Sequence, residues 1–286
     1  MQDKLKRGLH SFITILKKPE MGVLPGHLAF SLMLSLVPTL TLITYVASVF
    51  HFSMDFIGDF ITKAFSQDFA NLLLGTNLAV SADWKFVVTL IVGYVIASNG
   101  AAALILSSNT IYGIQNDTFV KRRIKAFLMI LIIILLFIFL LIFNVFGNNI
   151  IEMLDLMDLN KDIVTNVTLV ISVLKGPISW FIVFIFIKIL FTMAPDKGIR
   201  SHEVNKGAIF TTVGFIVVTY IYSLYATHFA RYDVFYGNLA SIVVLMIWLY
   251  LLSYIITIGL AFNYREEINT LEKTSKLEVV EEEKET

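Results

Sequence analysis

Cysteine is absent from the 286 residues, which excludes disulfides, thiolate metal sites and thiol catalysis together. Charge is scarce as well. Asp, Glu, Lys and Arg make up 15% of the chain, where a soluble domain carries about 25%. What charge there is cancels, 22 basic residues against 22 acidic, so bulk electrostatics name no partner. The histidines, His10, His27, His51, His202 and His228, are scattered and never stand at His-Glu-x-x-His spacing. Neither a Gly-x-Ser-x-Gly elbow nor a phosphate-binding Gly-x-x-x-x-Gly-Lys loop occurs. No basic stretch is interleaved with aromatics in the manner of a nucleic-acid surface. These absences predict a chain that is not an enzyme, holds no cofactor or metal and binds no nucleic acid.

What is present is apolar. Hydrophobic residues reach 57% and the mean hydropathy is +0.79, with the excess gathered in runs long enough to cross a bilayer. Six spans can be drawn, at about 28–50, 86–112, 126–147, 177–193, 207–229 and 239–262. Cytoplasmic flanks hold the excess of Lys and Arg. Sixteen basic residues fall on one side of these spans and five on the other, with Lys188 inside the fourth. The expected architecture is all-α and polytopic: six transmembrane helices, both termini cytoplasmic, one membrane domain over 1–265 and an acidic tail over 266–286.

Amphipathic segments flank the spans. Leu5, Leu9, Phe12, Ile13 and Leu16 repeat at helical spacing among lysines and Arg7, which predicts a helix on the inner membrane surface or docked on the protein; no cleavage site marks it as a secretory signal. Phe52, Phe56, Ile57, Phe60, Ile61, Ala64 and Phe65 form an apolar stripe in the outer interface, in a segment ending near Gly75. A second outer segment runs from Ile163 to Leu174 and is expected to end at Lys175-Gly176, because Pro177 suits the first position of the next helix.

Polar residues within the spans lie in stripes. Ser31, Ser35, Pro38 and Tyr45 share one sector of the first, and Tyr94, Ser98 and Asn109 one face of the second. Thr212, Thr219 and Ser223 mark the fifth, and Tyr250, Ser253, Tyr254 and Thr257 the sixth. Two readings are open: the stripes meet in an uncharged polar cavity, or each packs helix on helix at about 0.6 kcal/mol per contact. Gly93, Ala97 and Ala101, and Gly207 with Gly214, read as helix-contact surfaces. Between the fifth and sixth spans, Tyr225 to Gly237 carries five aromatics with His228, Arg231 and Asp233. An interfacial aromatic belt and a headgroup-holding charged group both fit it.

Tyr236-Gly-Asn-Leu239, Ile247-Trp-Leu-Tyr250 and Gly259-Leu-Ala-Phe-Asn263 together resemble a run found in the YihY/virulence factor BrkB family of bacterial inner-membrane proteins. Leu28-Ala-Phe with Ser35-Leu-Val-Pro38, Ala97-Ser-Asn-Gly100 with Asn109, Leu174-Lys-Gly-Pro177, Pro195 and Gly207-Ala208 extend the resemblance from about Gly8 to Ile268. Phe262 stands where family members commonly carry Glu, and Lys175 where Arg is frequent. The resemblance implies a six-span protein of the bacterial plasma membrane, of a family linked to envelope integrity, serum resistance and lipid export. A ribonuclease label has circulated for the family; these residues give it no support.

The functional expectation is movement or accommodation of a lipid or other amphipathic molecule through a polar, uncharged cavity. Its candidate residues are Ser35, Pro38, Asn99, Asn109, Tyr225, Arg231, Tyr236, Gly237, Trp248 and Tyr250. Asn and Ser would meet headgroup oxygens, Arg231 a phosphate, and the aromatics the acyl chains. The competing reading is a non-transporting scaffold that supports the envelope through its outer amphipathic helices and tail. Membrane lipids are the expected partners, with a second copy or an envelope protein left open.

Overall fold

In a bilayer each peptide group must find its hydrogen bond inside the protein, and a helix does so within a single segment. The computed structural model describes residues 17, 19–49, 84–115, 117–156, 161–228 and 242–264. Among these, every regular element is helical. They are α1 (Glu20–Val49), α2 (Trp84–Tyr112), α3 (Phe119–Leu156), α4 (Lys161–Met193), α5 (Asn205–His228) and α6 (Ile242–Tyr264). All six contain stretches long and apolar enough to span a membrane. This is the expected all-α, six-span architecture.

Local chemistry sets the helix ends. α1 begins eight residues ahead of the apolar run, with Glu20 in its first turn, where a carboxylate complements the positive end of the helix dipole. It continues through Pro38 to Val49. α2 stops at Gly113, whose φ of 65° suits a residue without Cβ. Two bonds close that end: Ile114 N–H to the Asn109 carbonyl at 2.9 Å and Gly113 N–H to the Thr110 carbonyl at 3.3 Å. That pair is the Schellman arrangement. α3 has 38 residues, or about 57 Å of helix, and takes the basic run Lys121–Lys125 into its first turns.

α4 corrects the sequence reading. The expected break at Lys175-Gly176 does not occur; the helix is continuous from Lys161 to Met193, with Pro177 inside it. Proline removes one backbone bond, but in an apolar setting the flanking residues gain more by staying helical than by exposing further peptide groups. The second outer segment is therefore the first half of α4, and the span lengthens to Asn166–Met193. Lys175 joins Lys188 within it instead of lying in a loop. Gly93 also departs from expectation: a Cβ there would meet nothing within 4 Å.

The described helices gather into two compact units. Of the described residues, unit 1 takes 17, 19–33, 100–115, 117–125, 187–228 and 242–264, and unit 2 takes 34–49, 84–99, 126–156 and 161–186. Unit 2 is built around Leu40, Leu42, Ile43, Ala97, Ile130 and Ile134. There Tyr94 donates to the Phe127 carbonyl at 2.6 Å and ties α2 to α3. Unit 1 buries Leu28, Ile105, Phe191, Val204, Ala208 and Leu260. The N-terminal amphipathic segment, the outer segment around 52–75, the aromatic bend beyond His228 and the tail beyond 264 lie outside the described residues; residues 225–228, the start of that bend, belong to α5.

Candidate functional site

α5 and α6 form an antiparallel hairpin within unit 1. Gly207 faces Gly259 and Asn263, Thr211 faces Gly259, and Gly214 faces Ile255. Further along, the rings of Tyr222 and Trp248 lie 5.4 Å apart. Each step forward on α5 is matched by a step back on α6, so the seam holds one register over at least four turns. Its tightest point is at the start of α5. A methyl group on Gly207 would run into the Gly259 carbonyl and the Asn263 amide, and one on Gly259 into Thr211 Oγ1.

Asn263 uses this closeness. Its Oδ1 accepts the Gly207 N–H at 2.8 Å, one of the first-turn N–H groups that α5 cannot satisfy internally. The cap thus comes from a neighbouring helix. Its Nδ2, and the Oγ1 of Thr211, are buried with no hydrogen-bond partner. Ser107 and Ser108 on α2 are fully buried and their hydroxyls are unpartnered too. Ser108 lies one turn before Tyr112, whose ring meets Tyr264 at 5.3 Å, next to Asn263. The end of α2, the start of α5 and the end of α6 therefore share a depth within unit 1. Deeper along α6, Ser253 Oγ and Trp248 Nε1 are likewise sealed and unbonded.

Beside this seam, Asp196 organises the loop after α4. Asn109 Nδ2 donates to its carboxylate at 2.6 Å and Asn109 Oδ1 accepts its backbone N–H at 2.8 Å. Lys125 Nζ reaches the other carboxylate oxygen at 2.6 Å and the carbonyls of Ala194 at 2.9 Å and Pro195 at 2.6 Å. An ammonium has three donors, and all three are used. Burial alone would raise the Asp196 pKa; bonds from Lys125 and Asn109, the Lys125 charge and the Asp117 N–H outweigh it and hold the carboxyl below its ordinary value.

The sequence-predicted residues separate between the units. Ser35, Pro38 and Asn99 belong to unit 2, and Asn109, Trp248 and Tyr250 to unit 1. Ser35 is buried and its carbonyl accepts the Thr39 hydroxyl at 2.6 Å; Pro38 and Asn99 are half-buried. Asn109 is spent on Asp196, and Tyr250 is 42% exposed with its ring 6.3 Å from that of Tyr254. Tyr225 lies in α5 with its side chain outside the described residues, as do Arg231, Tyr236 and Gly237 altogether. Sequence reasoning passed over Ser107, Ser108, Thr211, Lys125 and Asp196. The equal spacing of Gly207–Thr211 and Gly259–Asn263, a small and a polar residue one turn apart, was the available signal.

A model of the family described as "Virulence factor BrkB" matches residues 14–282. The chain belongs to that family. It is 32% identical over 171 residues to the "Putative ribonuclease-like protein YfkH" of Bacillus subtilis, covering 58% of this chain and 60% of that protein. Against the "UPF0761 membrane protein VSAL_I2938" of Aliivibrio salmonicida it is 24% identical over 282 residues, 91% of this chain and 85% of the relative. Against the "UPF0761 membrane protein IL2447" of Idiomarina loihiensis it is 29% identical over 93 residues, 31% and 33% of the two chains. The chain thus spans less than two thirds of the length of YfkH and of IL2447. No solved structure matches it. It is a multi-pass membrane protein of the BrkB family.

Proposed function

We propose that this protein lets a lipid or other amphipathic molecule cross or lodge in the bacterial plasma membrane, with both termini cytoplasmic and without catalysis. The observation that supports this is the set of sealed, uncharged polar atoms in unit 1, from Asn263 and Thr211 near one membrane face to Ser253 deeper in α6. Proton- and ion-coupled carriers hold ionisable groups at mid-membrane. Here α1, α2, α5 and α6 carry no Asp, Glu, Lys or Arg in their apolar stretches beyond the first or last turn. Neutral polar groups suit a headgroup whose tails remain in lipid. Ser35, Pro38, Asn99, Asn109, Tyr225, Arg231, Tyr236, Gly237, Trp248 and Tyr250 stand as the residues proposed to line the route. The ribonuclease-like wording of YfkH stays with that protein.

The test is scrambling of fluorescent lipid analogues in proteoliposomes holding the full chain. Faster equilibration between leaflets than in empty vesicles is expected; equal rates would sink the reading.

A further inference from the structure

Four side chains at the end of α2, the start of α5 and the end of α6 are sealed without partners: Ser107, Ser108, Thr211 and Asn263. None is more than 1% exposed. Serine and threonine in a helix commonly satisfy themselves on the carbonyl one turn back, as Thr212 does on Ala208 at 2.8 Å. The hydroxyls of Ser107, Ser108 and Thr211 do not. Each lies within about 9 Å of its helix end, at 1.5 Å per residue. The ring contact of Tyr112 on Tyr264 and the Gly207–Asn263 bond hold those ends together. A buried polar atom left unbonded forfeits its hydration without return. Water or a ligand reaching it would recover that loss.

We infer that Ser107, Ser108, Thr211 and Asn263 form an occluded site that opens at those ends of α2, α5 and α6 and takes a neutral, hydroxyl-bearing headgroup of the glycerol or sugar class. The inference rests on the amphipath reading and gives that substrate its chemistry. Hydroxyls donate and accept, the Asn263 amide nitrogen donates, and Asn205 Oδ1, also sealed and unbonded, accepts. A polyol answers both kinds of group, whereas a phosphate offers acceptors alone and cannot meet Asn205. One nearby cation is committed elsewhere in unit 1: Lys125 has spent its donors on Asp196 and two carbonyls.

The absence of cysteine makes the test direct. Ser108→Cys and Thr211→Cys, with Ser107→Cys as a substitute should either fail to fold, are compared in proteoliposomes with Ser98→Cys and Thr44→Cys. Those controls are as deeply buried, but their native hydroxyls are bonded within their own helices. Labelling by a water-soluble maleimide is expected to be about tenfold faster or more at 108 and 211, because opening sets the rate. Equal rates at all four positions would overturn the site. Repeating the labelling in micelles of dodecyl maltoside and of dodecylphosphocholine tests the ligand class. The maltoside is expected to lower the ratio of the rate at position 108 to that at position 98 by threefold or more (about 0.7 kcal/mol or more), and a larger drop in phosphocholine would overturn the neutral headgroup. Scrambling by the native chain in parallel vesicles keeps the readings apart: fast labelling at 108 and 211 with no scrambling by the native chain retains the site and removes transport, and native scrambling with equal labelling does the reverse.

Discussion

The two units differ in how far their buried polar groups are settled. In unit 2 the Thr44 hydroxyl donates to the Leu40 carbonyl at 2.8 Å and the Ser98 hydroxyl to the Val95 carbonyl at 2.7 Å, so each is settled on its own helix. In unit 1 Ser107, Ser108, Thr211, Ser253 and the Asn263 amide nitrogen are sealed and left unbonded. Both units bury their cores with similar aliphatic residues. The difference is thus one of polar satisfaction and not of apolar packing. Among the described residues, no buried side-chain polar atom of unit 2 is left without a partner, while unit 1 carries a cost that has a use only if its polar groups meet something else.

The largest expected effect comes from the place where unit 1 does satisfy its charges. Lys125→Met leaves the Asp196 carboxylate, 4% exposed, without its cation, and breaking a buried pair costs about 3–5 kcal/mol. Thermal unfolding in detergent should show a large fall in midpoint. Asp196→Asn should cost less, since an amide carries no unpaired charge. The Asp196 carboxyl titrates below its ordinary value of 3.8, so its folded-state pKa is depressed. Stability from this group is complete above the ordinary value and is lost as pH falls through the depressed one. Unfolding midpoints across that acid range should slope in the native chain, and the slope should shrink in Asp196→Asn. An unchanged slope would detach Asp196 from the stability of unit 1.

Next in size is the seam. Gly207→Ala drives a methyl into the Gly259 carbonyl and the Asn263 amide, an overpacking that costs about 1–3 kcal/mol. Its counterpart in unit 2, Gly93→Ala, meets open space and gains helix propensity of up to about 1 kcal/mol. The two substitutions should move the midpoint in opposite directions. A fall for both would mean that Gly93 is packed against something after all.

How much of this was legible beforehand differs between the same regions. Six spans followed from run length alone, because a bilayer forces the backbone into helices whatever the side chains do. Pro177 misled, since a proline at a first helical position and one inside a helix look alike in sequence, and only the surroundings decide between them. Gly207 and Gly214 were read correctly as contact surfaces, but Gly93, identical in kind, was not. A glycine records that a side chain is absent, not whether a neighbour occupies the space. Asn109 was picked out as a polar residue on a buried face. Its partner, Asp196, lies 87 positions away, and no local pattern joins the two. Thr211 was overlooked beside Thr212 for a similar reason: nothing in the local sequence tells which of two adjacent hydroxyls bonds its own helix.

That adjacent pair gives the smallest and sharpest test. Thr212→Val removes a hydroxyl bonded to the Ala208 carbonyl, and Thr44→Val one bonded to the Leu40 carbonyl; each should lose about 0.5–1.5 kcal/mol. Thr211→Val removes a hydroxyl with no partner and keeps the shape of the side chain. It should be neutral or stabilising, because the desolvation cost of that group disappears with it. The sign therefore reverses between two neighbouring residues of α5 while burial and volume stay fixed. Scrambling should move the other way, falling for Thr211→Val and holding for Thr212→Val and Thr44→Val. A variant that is more stable and less active at position 211 alone would mean that the cost in unit 1 is retained for function. Loss of stability at 211 equal to that at 212 would mean the Thr211 hydroxyl is already satisfied, and the contrast between the units would fall with it.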